Sequence, residues 1–245
     1  MKLKVPSLQH MARNWHPTPA ATAKALVKLA LNSPTFNYRP LFGAVHDLAV
    51  LGVPYEQVYR GLRDATKRPG VRDNYLGVLP RLHEHLEAHR PDFVQPVGRR
   101  HYPIGRGLMV PFEPPLLFTV GGQFRLPWFS FWRDRALKKE GLSLFTSIVF
   151  ELLKQDPDLE DARFEILDFS CDRKTKKRGL QVLDGEDIPR LSEATIRDML
   201  AVFAEGYAMA VAELNGMARP QRDDADQRQP DPRQQSFWDD DTTPI

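Results

Sequence analysis

Leu116-Leu117-Phe118-Thr119-Val120-Gly121-Gly122-Gln123-Phe124-Arg125-Leu126-Pro127-Trp128-Phe129-Ser130-Phe131-Trp132 decides the fold class. Two runs rich in aromatic and branched residues flank a glycine pair, and glycine takes the positive φ angles of a tight hairpin turn without steric cost. Two strands are therefore predicted, over 116–120 and 124–132, joined as a β-hairpin. The second is apolar on both faces, so it is covered on both sides, or covered on one and used on the other. Pro127 inside it points to a sheet edge, where a missing N–H breaks no ladder.

Downstream the period changes to that of a helix. Phe145, Ile148, Val149 and Leu152 share a face that opens at Gly141 and ends at Asp156-Pro157. Residues 164–169 read as a strand, the basic stretch 172–179 as the turn of a second hairpin, and 180–183 as its return strand. Ser192 can cap a last helix, in which Ile196, Leu200, Phe203, Tyr207, Val211 and Leu214 recur at steps of three and four until Asn215-Gly216. Upstream, Thr18-Pro19 starts a helix carrying Leu26, Leu29 and Ala30. Further apolar stripes follow at Leu41/Val45/Leu48/Leu51, at Val58/Leu62/Ala65 and at Leu79/Leu82/Leu86. The last of these is capped by Asp73 or begins at Pro80. The fold expected is α+β: a small helical bundle or cap over 1–95, and a mixed or antiparallel sheet with two packed helices over 96–217. A tail over 218–245, rich in Gln, Asp, Arg and Pro, has too little apolar surface to offset the entropy of ordering and is expected to be disordered.

Composition narrows the class. Cys171 is the only cysteine, which excludes an internal disulfide and fits a reducing compartment, so a cytoplasmic location is expected. The first fifteen residues lack the apolar core of a secretory leader. The longest mostly apolar run, 142–153, is too short to cross a bilayer, so no membrane role is expected. No Gly-rich phosphate loop is present, since Gly105-Arg106-Gly107 lacks the third glycine and the following helix, and no cofactor is expected. No Gly-x-Ser-x-Gly elbow supports a serine nucleophile.

The formal net charge of +2 is unevenly distributed. The last 28 residues hold seven Asp against four Arg, leaving the preceding 217 with a surplus of five positive charges. Arg173, Lys174, Lys176, Lys177 and Arg178 crowd the predicted hairpin tip, and Arg99, Arg100 and Arg106 form a second cluster that also includes His101. Long cations on a rigid support suit phosphate contacts, while a plain solubility device is the bland alternative. The aromatic strand with Arg125, Arg133 and Arg135 is core, or else a platform on which single-stranded bases stack.

Three further constellations carry chemistry. His85 and His89 lie four apart on one helical face, and two imidazoles at that spacing bind a transition metal if a third ligand arrives; otherwise they belong, with His83, to a solvated polar face. Glu151 on a helix with Glu165 and Asp168 on a strand are the candidate catalytic carboxylates of a metal-dependent hydrolase. Asp168, inside an apolar strand, needs a partner, and Arg190 or Lys177 would make it a structural ion pair. Phe237-Trp238-Asp239-Asp240-Asp241 joins two large aromatics to three acids, the form of a short partner-binding motif.

The tail end resembles the acidic, hydrophobic-tipped tails of bacterial single-stranded-DNA-binding proteins, departing from them at Thr243-Pro244-Ile245. From Leu116 onward the order hairpin, helix, strand, return strand, helix is similar to the later half of a restriction-endonuclease-like core. That family holds its metal with an acid on one strand and Glu-x-Lys on the next, whereas Gln123-Phe124-Arg125-Leu126-Pro127-Trp128-Phe129-Ser130 stands here, so the similarity implies a non-catalytic relative. The expectation is a non-enzymatic interaction protein whose basic body binds nucleic acid or a nucleoprotein partner. A metal-dependent hydrolase and a structural subunit of a larger assembly, with an exposed apolar patch around Trp128 and Trp132, are the alternatives.

Overall fold

The computed structural model describes residues 3–32, 37–135, 137–172, 175 and 177–217. The predicted disordered tail, 218–245, lies outside them. The fold is α+β, with N-terminal helices followed by the sheet, as expected.

Helices α1 (Leu8–Asn14) and α2 (Pro19–Leu31) come first. Thr18 Oγ1 accepts the Ala21 N–H, and Pro19 occupies the first turn, where a missing N–H costs nothing. Helix α1 has only Leu8, Met11 and Ala12 to bury, a pattern too short to stand out in sequence. Helices α3 (Arg39–Ala49) and α4 (Tyr55–Ala65) match their stripes. The single helix expected from Asp73 or Pro80 is two, α5 (Pro69–Leu76) and α6 (Leu79–Ala88), because Pro69 and Pro80 each sit in a first turn and so start helices rather than break them.

Three strands follow that the sequence did not delimit: β1 (Phe93–Gln95), β2 (Arg100–Gly105) and β3 (Leu108–Phe112). Strands β2 and β3 pair as a separate antiparallel ribbon. The predicted hairpin is β4 (Leu117–Val120) and β5 (Gln123–Ser130), turning through Gly121 and Gly122 at φ +58° and +78°. Helix α7 (Lys139–Lys154) carries the chain over to β6 (Arg163–Asp168), which runs parallel to β5. Strand β7 (Gln181–Asp184) returns antiparallel to β6, and α8 (Glu193–Met217) ends the described chain. The main sheet is mixed, in the order β1-β4-β5-β6-β7.

Each face of this sheet has its own core. Leu126, Trp128, Phe164 and Ile166 face α1, α2, α7, α8 and the β2–β3 ribbon. Phe129, Phe131, Leu167 and Phe169 face α3–α6. The period of two along β5 and β6 thus divides the apolar side chains between two helical layers. Strand β5 is central, correcting the edge expected from Pro127: its ladder with β4 stops at Phe118↔Arg125, so the proline falls where that side of β5 has no partner. Trp128, Phe129 and Phe131 are buried, and Trp132 is covered by the His10 ring and the Arg13 guanidinium. The exposed patch expected of a structural subunit is not found there. Among the described residues no helix is long and apolar enough to cross a membrane.

Candidate functional site

Because β5 and β6 are parallel, their carboxyl ends emerge at one edge, where ligands of open α/β sheets commonly bind. Ser130 and Asp168 are paired in register there. Asp168 Oδ1 accepts from Ser130 Oγ at 3.3 Å and from the Ser170 N–H at 3.1 Å. Its Oδ2 accepts from Arg135 Nε and Ser170 Oγ, each at 3.1 Å. Arg135 also reaches Gln181 on β7. The partner of Asp168 is therefore Arg135 rather than Arg190 or Lys177: Arg190 pairs with Glu186 and lies over the Phe150 ring.

Past these residues the two strand ends stay together. Phe169 N–H donates to the Ser130 carbonyl and Cys171 N–H to that of Arg133. Arg178 then closes the second hairpin as a clamp. Its Nη1 donates to the carbonyls of Phe131 (3.1 Å), Trp132 (2.8 Å) and Phe169 (2.8 Å), and its Nη2 to the Asn74 side chain on α5. Arg178 is thus spent inside the fold, which corrects its expected part in phosphate contact. Between the clamp and Cys171, the Asp172 side chain accepts the Thr175 N–H at 2.8 Å, and Lys177 is exposed. Arg173, Lys174 and Lys176 lie outside the described residues.

The other basic cluster does not join this edge. Arg99 pairs with Glu113, and Arg100 with Asp156 behind α7. Arg106, in the left-handed turn of the β2–β3 ribbon, opens on a groove between that ribbon and α8, together with Glu151, Glu193, Arg197 and Glu205. The ribbon packs with one helical layer and α5, which holds Arg178, with the other, so Arg178 and the ribbon's cations lie on opposite sides of the sheet.

The candidate carboxylates do not converge either. Glu151 accepts a hydrogen bond from Tyr102, whose hydroxyl burial, and then this carboxylate, hold well above the usual tyrosine range. Glu165 and Asp168 are three apart on a strand, an odd separation that sends them to opposite faces. Glu165 is buried 3.3 Å from Arg125 on the α6 side, and Asp168 lies at the carboxyl end just described. The set expected to hold a metal occupies three surroundings, and among the described residues no three His, Cys, Asp or Glu side chains are placed to bind one.

The His85–His89 pair is also reassigned. Their rings lie 4.6 Å apart, and His89 Nδ1 is 3.1 Å from the His85 carbonyl. They belong to the charged cluster of Arg125 and Glu165, where His85 Nε2, Arg125 Nε and Glu165 Oε1 are buried without a hydrogen-bond partner. Burial, with His89 and Arg125 adding to it, lowers the His85 pKa to about 4. Glu165 moves the opposite way, raised by its burial against the pull of Arg125 and His89.

Between pH 6.5 and 4 the unfolded chain therefore holds a proton at position 85 that the native protein refuses, so stability falls as pH drops through that window. The loss ascribed to His85 is about 3 kcal/mol at pH 4. Glu165 contributes with the opposite sign in both proteins compared. Urea unfolding at pH 7 and pH 4.5 should show a smaller acid loss in His85→Leu than in the unaltered chain; equal losses would place the penalty elsewhere.

Sequence reasoning missed Ser130 as a site residue; it read Arg125 and Arg135 as flanking a stacking platform, whereas they pair with Glu165 and Asp168, and the clamp role of Arg178 was hidden among its basic neighbours. Phe237 to Asp241 lie outside the described residues. Compared with models of protein families, with curated proteins and with solved structures, the chain matches none.

Proposed function

We propose that this chain is a non-enzymatic nucleic-acid-binding protein whose contact surface is the second-hairpin tip, residues 172–177, at the carboxyl end of β5 and β6. The observation that carries this reading is the Arg178 clamp, which fastens the base of the tip to three strand-end carbonyls and to α5. Phosphate recognition is served by flexible cations held on a rigid base, and the tip has Arg173, Lys174, Lys176 and Lys177 against a single acid, Asp172. Arg133 is exposed beside it, and Lys67 and Arg68 lead into α5, about 10 Å along that helix from Asn74. The lone thiol, Cys171, accords with a cytoplasmic setting. A metal-dependent hydrolase would need Glu151, Glu165 and Asp168 around one ion, an arrangement that no observation favours.

Fluorescence anisotropy of the full chain with short single- and double-stranded oligonucleotides, at 50 and 200 mM salt, tests the proposal. Binding should weaken with salt, and the triple variant Lys174→Ala/Lys176→Ala/Lys177→Ala should reduce the slope of log affinity against log salt by about 2–3. Salt-insensitive binding, no binding, or an unchanged slope in the variant would remove the tip from consideration.

A further inference from the structure

On the α3–α6 side of the sheet, polar side chains from three elements are buried together: Arg125 from β5, Glu165 from β6 and His85 from α6. Pro127 stands opposite Glu165 in the parallel pairing, which puts Arg125, two residues back, diagonally across from Glu165 on the same face. Their ion pair runs through a single contact, Arg125 Nη1 to Glu165 Oε2 at 3.3 Å. It leaves Arg125 Nε and Glu165 Oε1 buried without a hydrogen-bond partner among the described residues, and His85 Nε2 shares that condition. His85 and Glu165 are both more than nine-tenths buried, at 7% and 3% exposure. Burial, and then the charges of His89 and Arg125, keep the His85 ring neutral down to about pH 4.

Buried polar atoms in native proteins are almost always satisfied, so three orphans in one cluster call for a ligand. Their chemistry selects it. Arg125 Nε carries a hydrogen and a shared positive charge, which turns away a metal cation; the Glu165 carboxylate turns away an anion. The occupant must accept from the arginine and donate to the carboxylate in the same place. The neutral His85 Nε2 asks for a donor or an acceptor according to its tautomer. Water meets all three demands: it accepts from Arg125 Nε, donates to Glu165 Oε1, and turns its remaining hydrogen or lone pair to His85. Three hydrogen bonds are the usual complement of an internal water.

We infer that a single internal water is bound by His85 Nε2, Arg125 Nε and Glu165 Oε1, fastening α6 to both parallel strands of the sheet. The site does not depend on nucleic-acid binding and is tested apart from it. A high-resolution crystal structure of the full chain should show one density peak about 2.7–3.2 Å from each of the three atoms. The inference is overturned by no peak, by a peak about 2.0–2.2 Å from His85 Nε2, which would be a metal ion, or by an anomalous bromide signal there after a bromide soak, which would mark an anion site. In solution, ¹⁷O relaxation dispersion of water should count one long-lived water fewer in Arg125→Met/Glu165→Leu than in the unaltered chain. Both ions are replaced together so that no buried charge is left unpaired. Equal counts in a variant with an unchanged circular dichroism spectrum overturn the inference as well, and should the variant not fold, the density in the unaltered chain decides.

Discussion

An Arg178→Met protein should unfold with about 3–5 kcal/mol less free energy than the unaltered chain, the largest loss expected for any cation in the structure. The guanidinium donates to the carbonyls of Phe131, Trp132 and Phe169 and to the Asn74 side chain. These groups come from the ends of β5 and β6 and from α5, and methionine offers a donor to none of them. Hydrogen bonds from a charged donor are worth about 1.5–3 kcal/mol each when taken singly, and part of that is recovered by relaxation and hydration of the carbonyls. Methionine keeps the stem that packs near Gly77, so the comparison isolates the head group. Arg178→Lys should recover only part of the loss, because one ammonium cannot reproduce a planar fork reaching four acceptors. Urea denaturation of the three proteins gives the ranking. A near-neutral Arg178→Met would mean that the hairpin base is held by something else, and the support assigned to the basic tip would go with it.

Much of this architecture was legible because it rests on short-range rules. Gly121-Gly122 dictated a turn, the stripe from Ile196 to Leu214 dictated α8, and Thr18-Pro19 fixed the start of α2. The side chains at the carboxyl end of β5 and β6 were harder to place, since Asp168, Arg135 and Arg178 meet only once two parallel strands and a return hairpin are assembled. No spacing in the sequence links Arg178 to Asn74, 104 positions away. The expected convergence of Glu165 and Asp168 conflicts with the strand period itself, since residues three apart on a regular strand face opposite sides. For Arg99 and Arg100 the reason differs, because residue counts give charge without its pairing partners, Glu113 and Asp156, while Arg106 opens on the separate groove beside α8.

Asp168 provides the second large effect, and its two conservative replacements separate a structural carboxylate from an incidental one. All four groups that approach it are used as donors: Ser130 Oγ and the Ser170 N–H at one oxygen, Arg135 Nε and Ser170 Oγ at the other. Asp168→Ala leaves the buried Ser130 hydroxyl and the Ser170 donors without an acceptor at a position 4% exposed, while the half-exposed Arg135 turns to water, so the loss should be about 2–4 kcal/mol. Asparagine has the same shape but must present an NH2 group at one of the two oxygen positions. Facing the first, the amide meets the Ser170 N–H, which cannot turn into an acceptor; facing the second, it meets Arg135 Nε, which cannot either. The serine hydroxyls can rotate to accept, so one donor-donor conflict remains in either orientation, and Asp168→Asn should cost about 2–3 kcal/mol despite its near-identical volume. Urea unfolding of both variants measures the difference. Should asparagine prove harmless, Asp168 would not be fixed by the four donors around it, and the carboxyl end of the parallel strands would lack the rigidity on which a binding surface there depends.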